Sequence, residues 1–123
     1  MTETKIKTVT FISRSVPYGS ESSQICLELV LAFSVFDQEI NYIFLEDGVY
    51  QLLKSQHSAG IDSKNLGASL TALEIYGVER VFVDSESMAR RNLHEEELIV
   101  PAQPLNADQI RSLIRSSDAV FNL

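Results

Sequence analysis

The sequence predicts an α/β fold: a three-layer α/β/α sandwich around a largely parallel five-stranded sheet, in one domain over residues 1–123. Two observations predict it. Short β-branched or apolar runs alternate with helix-patterned segments along the chain, as expected for strands joined by crossover helices. One run, INYIFL, is apolar on both faces: Ile40, Tyr42 and Phe44 on one, Ile43 and Leu45 on the other. Two-sided burial marks a central parallel strand covered by helices.

The elements follow in order. Residues 5–13 alternate and are β-branched (Ile6, Thr8, Val9, Thr10, Ile12), so they read as a first strand. Val16, Pro17, Tyr18 and Gly19 form a loop, and Ser20 is placed to cap a helix over residues 21–36. The polar turn Asp37, Gln38, Glu39 ends it, and residues 40–45 are the second strand. Asp47 and Gly48 then turn the chain into a short helix over residues 48–53. Residues 54–65 read as a loop. Residues 68–76 read as a helix with Gly77 as its C-cap. A third strand at residues 80–83 leads into a short helix at 85–91. Residues 98–102 are read as an edge strand, since Pro101 has no N–H for a ladder. Asn106, with Gln109 three residues on, forms a capping box for a helix to residue 115, and residues 119–123 form the last strand.

Composition excludes several function classes. The chain is 45% apolar and carries a net charge of −7, with a pI of about 4.7. An acidic surface argues against direct nucleic-acid binding, which needs clustered Lys and Arg. A single cysteine excludes an internal disulfide and fits a reducing, cytoplasmic setting. No run approaches the length of a membrane span, and the N-terminal apolar run is too short and mixed for a signal peptide.

Few residues point to chemistry. Cys26, the one thiol, lies within the apolar run ICLELVLAF, which reads as a packed core cysteine. His57 and His94 lack partners at metal-ligand spacing, so both read as surface residues and neither a metal nor a cofactor is expected. Ser20, Ser22 and Ser23 open the first helix, where anions bind free N–H groups, but no phosphate-loop motif accompanies them and capping is the stronger reading. Glu46 and Asp47 are adjacent on an extended chain, so they point apart and do not form an acid/base pair. Glu95, Glu96 and Glu97 read as a solvated helix end.

The first helix is apolar nearly all round. Its sheet-facing stripe is expected at Ile25, Leu29, Phe33 and Phe36, leaving Leu31 and Val35 for a second buried side, covered by another subunit or, as the alternative, by the loop over residues 54–67. Val49, Tyr50 and Leu53 add apolar surface in the turn after the second strand and are expected at the same kind of contact.

Four stretches carry a resemblance: RSVPYGS, FDQEINYIFLEDGVYQLL with Gln56, YGVERVFVDSESMARRNL, and SDAVFNL. Together they span nearly the whole chain, and in that order they resemble the DsrE/DsrF-like family, in its sulfur-relay branch. The resemblance implies a parallel α/β fold. It implies assembly with homologous TusB/DsrH-type and TusD/DsrE-type subunits in a heterohexamer, with a TusE/DsrC-type protein as the downstream carrier. It implies a role in relaying persulfide sulfur towards 2-thiouridine at the wobble position of tRNA, or in dissimilatory sulfur metabolism. Active subunits of the family hold sulfur on a cysteine just after the third strand. Aligned on Arg90 and Arg91, this chain has Asp84 there, and a carboxylate cannot form a persulfide. The resemblance therefore implies a subunit that is not catalytic alone. The alternative from the residues is a flavodoxin-like module binding a small anion at the loop over residues 14–23.

Overall fold

A computed structural model describes residues 7–16, 21–36, 38–54 and 70–123. Five strands form one sheet in the order β4-β3-β2-β1-β5, and every pairing is parallel. The strands are β1 (Lys7–Ser13), β2 (Gln38–Phe44), β3 (Val81–Asp84), β4 (Gln103–Leu105) and β5 (Ala119–Asn122). The helices are α1 (Ser22–Phe33), α2 (Ser85–Arg90) and α3 (Ala107–Ser116), and a 3-10 segment, Glu46–Leu52, follows β2. Ser20, His57, Gln56 and most of the expected loop over residues 54–65 lie outside the described residues.

The two faces of β2 feed separate cores, as its pattern predicts. Ile40, Tyr42 and Phe44 pack in one cluster with Cys26, Leu27 and Val30 of α1, the 3-10 segment, and Met88 of α2. Ile43 packs on the other face with Phe82, Leu105 and Ile110 of α3. Each wholly buried aromatic or aliphatic side chain stabilises the fold by about 1.5–3 kcal/mol, so the first, larger cluster carries most of the hydrophobic stability.

Helix α1 meets the sheet on a different stripe from the expected one. Ser23, Cys26, Leu27 and Val30 are buried, at i, i+3, i+4 and i+7. Of the expected stripe, Leu29 and Phe33 are half-buried, while Ile25 is 44% and Phe36 65% exposed. A helix that is apolar on most sides gives no phase to its pattern, and tertiary packing sets it.

Two local signals hold. Asn106 accepts from the Gln109 N–H at 2.9 Å, and the Gln109 side chain accepts from the Asn106 N–H at 2.8 Å. Gly77 has φ +79°. Its N–H bonds to Glu74 O and that of Val78 to Leu73 O, a Schellman ending. Of the described residues before it, Leu70 and Thr71 are helical, and residues 72–77 wind as turns, so the regular helix stops short of the expected residue 76.

The edge strand is displaced. Residues 98–102 do not join the sheet. Leu98 instead forms an antiparallel bridge with Leu53, Ile99 N–H donates to Leu52 O at 2.6 Å, and Lys54 N–H donates to Glu97 O at 3.0 Å. The strand begins at Gln103 and contains Pro104, which an element paired on one side only can accept.

Candidate functional site

In a parallel sheet the carboxyl ends of the strands gather the loops that follow them, and ligands bind there. Here β2 and β3 end beside each other, and their following turns are braced together. Asp84 ends β3 and caps α2: its Oδ2 accepts from Ser87 N–H at 3.3 Å and from Ser87 Oγ–H at 2.6 Å. Ser87 Oγ in turn accepts from Glu46 N–H at 2.8 Å. Glu46 has φ +52°, so this bond pins a left-handed residue at the exit from β2.

Glycine is required two residues on. A Cβ on Gly48 would lie 2.1 Å from the carbonyl oxygen of Ser13, a main-chain atom at the end of β1. Gln51, wholly buried, donates from Nε2 to Ser13 Oγ at 2.7 Å and to Ser15 O at 2.8 Å. The turn after β2 is thus tied to β1 on one side and to α2 on the other.

Arg91 closes the outer surface of the brace. Its Nη2 and Nε donate to Asp47 Oδ1 at 2.8 and 3.2 Å, its Nη1 donates to Ser87 O at 3.2 Å, and its guanidinium lies 5.8 Å from the centre of the Tyr50 ring. Asp47 is therefore an ion-pair partner and not the expected cap. The 3-10 segment begins two residues earlier than expected, at Glu46 after Leu45, with no side-chain cap.

The single thiol lies apart from this brace. Cys26 is wholly buried in α1. Burial pushes its thiol up to about 11, and the Tyr42 and Ser13 hydroxyls beside it offset only part of that. Glu28, the charged neighbour in sequence, is exposed and is not among the causes. Tyr42 is itself wholly buried, and its phenol is pushed up as well, by burial first and then by Cys26.

The other expected residues divide plainly. Val49 and Leu53 are buried in the chain's own core, which corrects their expected place at a subunit contact. Tyr50 is half-buried under Arg91, and Leu31 is half-buried against the core. Val35 is exposed. Ser23 is buried, so its hydroxyl is not open to an anion, and Ser22 is half-buried in the first turn of α1. His94 is exposed, and its N–H donates to Glu97 Oε1 at 3.0 Å. Glu95, Glu96 and Glu97 form an exposed 3-10 turn. Among the described residues no three His, Cys, Asp or Glu side chains group to hold a metal. No described helix is long and apolar enough to cross a membrane. A cavity of about 610 Å³ opens along β3 and β4, lined by Val81, Phe82, Gln103 and Leu105 among others, and of the candidate residues it takes Glu95.

Sequence reasoning missed Ser87, Gln51 and Ser13. Ser87 carried a signal, since it stands three residues after Asp84 at capping distance. Gln51 and Ser13 carried none, because their contact joins residues far apart in the chain.

The class this defines is a small all-parallel α/β domain whose carboxyl-end turns are cross-braced by hydrogen bonds. The sequence model of the DsrE/DsrF-like family matches residues 7–123, and the chain belongs to that family. A TusC homolog from Vibrio parahaemolyticus is 38% identical over 114 residues, covering 93% of this chain and 97% of the relative. The intracellular sulfur oxidation protein DsrF from Allochromatium vinosum is 32% identical over 131 residues, covering 95% and 96%. Among solved structures, the ychN protein from Escherichia coli superposes with a TM-score of 0.82 over 96% of this chain and 100% of that one, at 20% identity, which shows the fold alone.

Proposed function

We propose that this chain is a non-carrier subunit, of the TusC/DsrF type, in a cytoplasmic sulfurtransferase complex. The complex relays persulfide sulfur for 2-thiolation of the tRNA wobble uridine. One observation carries the reading: Asp84, at the place where the family's active subunits hold their cysteine, is spent on structure. Its carboxylate caps α2 and holds Ser87, which holds the turn after β2. The only thiol cannot take over. With its pKa at about 11, Cys26 is ionised in roughly one molecule in ten thousand at neutral pH, and sulfur chemistry needs the thiolate. The subunit's role is then to shape the surface against which homologous TusB/DsrH-type and TusD/DsrE-type subunits assemble, with sulfur leaving on a TusE/DsrC-type carrier.

The test is direct. The purified chain is incubated with a persulfide donor and its intact mass measured. No stable gain of sulfur is expected, and co-expression with the two partner types should yield one complex of all three. Stable persulfide on Cys26, together with relay lost in Cys26→Ser, would overturn the reading. The similarity to DsrF supports a second reading, a subunit of a sulfur-oxidation complex. Activity of the reconstituted complex in tRNA thiolation decides between them.

A further inference from the structure

From the free edge of β5 we propose that two copies of this chain pair, strand against antiparallel strand, into one continuous sheet centred on Phe121. Among the described residues β5 ends the sheet and pairs with β1 alone. All four of its residues, AVFN, are exposed. Soluble proteins blunt such edges with charges, proline or bulges, because an open edge recruits another strand. β5 has no charge and no proline.

The hydrogen-bond phase of the strand says what fits it. Leu123 N–H donates to Ile12 O at 2.9 Å and Leu123 O accepts from Arg14 N–H at 3.4 Å, so the Leu123 main chain faces β1. Alternation along the strand turns Phe121 the same way and turns the N–H and C=O of Val120 and Asn122 outward. Two outward residues flanking Phe121 are self-complementary. In an antiparallel register about Phe121, Val120 of one chain exchanges both bonds with Asn122 of the other, and four main-chain bonds form. No outward main-chain group of these two residues is left over.

The side chains agree with that register. Phe121 stacks on Phe11 at 5.1 Å and meets Phe33 edge-on at 5.5 Å, yet stays 36% exposed. The register sets it directly opposite its own copy, in the closer, non-hydrogen-bonded kind of pair, where aromatic partners stabilise a sheet. A two-fold axis through this pair keeps both α1 helices on one face, so the half-exposed stripe Ile25, Leu29 and Phe33 flanks the aromatic pair from each side. The net charge of −7 opposes self-association at long range, but the screening length is about 8 Å at physiological salt and the patch itself is uncharged.

Sedimentation equilibrium of the full chain, alone, tests this. The mass of two chains is expected. Phe121→Asp, which sets two carboxylates face to face, should weaken pairing by at least about tenfold. Because Phe121 also packs within its own chain, a second measurement fixes the register without touching it. Val120→Cys and Asn122→Cys, oxidised as a mixture, should form a cross-linked pair, and neither should do so alone. Alone, each new thiol meets its own copy only diagonally, at about 7–8 Å, too far for a disulfide. A monomeric wild-type chain, pairing only with a different subunit, or self-linking of either single variant as readily as the mixture would each overturn the proposal. None of these outcomes bears on the relay reading, which rests on Asp84 and Cys26.

Discussion

The turn at Glu46–Leu52 buries Val49 and Leu52 completely, whereas α1 and the turn that follows it leave Ile25 44%, Val35 71% and Phe36 65% exposed. Both segments are rich in apolar residues. They differ in how they are held. The turn is bonded through Glu46 to α2, through Gln51 to β1, and through Asp47 to Arg91, so its apolar side chains are drawn inward. α1 is held by one buried stripe, with Leu29, Leu31 and Phe33 half-buried against the core, and Ile25 faces out. Apolar content alone therefore does not mark a contact surface. What matters is whether polar bonds across the chain have already fixed the segment against its own core.

The largest effect is expected at the pinned turn. Gly48→Ala drives a methyl group into the Ser13 carbonyl, a main-chain atom that cannot swing aside. A loss of about 3 kcal/mol or more is expected, as for severe overpacking, read as a fall in the urea midpoint. A loss under about 1 kcal/mol would show that the turn and the end of β1 are not locked, and the contrast with α1 would collapse.

The buried side of α1 gives the next effect, through pH. The folded-state pKa of Cys26 is raised from 9.0 to about 11, so the fold favours the protonated thiol. That contribution is full below about pH 9 and is lost as pH rises through about 11. The wild-type chain should lose about 2 kcal/mol more than Cys26→Ala over that interval, in urea unfolding at several pH values. Parallel curves would mean the thiol is open to solvent. Asp84→Ala should cost less, about 1 kcal/mol, the usual worth of an N-cap, read in the same urea unfolding.

Much of this contrast was written locally. Strand β2 showed both faces because side chains alternate with period two, and the structure separates Ile40, Tyr42 and Phe44 from Ile43 as that period requires. The Asn106–Gln109 box and the Gly77 ending were legible because each is complete within a few residues. The brace was not. Glu46 reaches Ser87, Gln51 reaches Ser13 and Arg91 reaches Asp47, all across about forty residues of chain, and no local pattern announces such a pair. The buried stripe of α1 was misread for a different reason: with Ile25, Leu27, Leu29 and Leu31 spread round the helix, several phases fit equally. Residues 98–102 had strand character, but the β-bridge from Leu98 runs to Leu53, a partner the sequence does not indicate.

The smallest effect on stability is the most informative about function. Val35 lies just beyond α1, and most of its surface meets solvent. Val35→Asp should therefore change the urea midpoint of the isolated chain by no more than about 0.5 kcal/mol, as for an exposed substitution. Under the proposed function the same change puts a carboxylate into an apolar contact between subunits, where burying an unpaired charge is costly. Co-purification with the TusB/DsrH-type and TusD/DsrE-type subunits should then fall at least about tenfold, while Tyr50→Ala, in the pinned turn, should leave it within about twofold. If Tyr50→Ala breaks the complex and Val35→Asp does not, the partner surface lies at the braced turn after all, over Arg91 and Asp47, and α1's exposed residues serve something else.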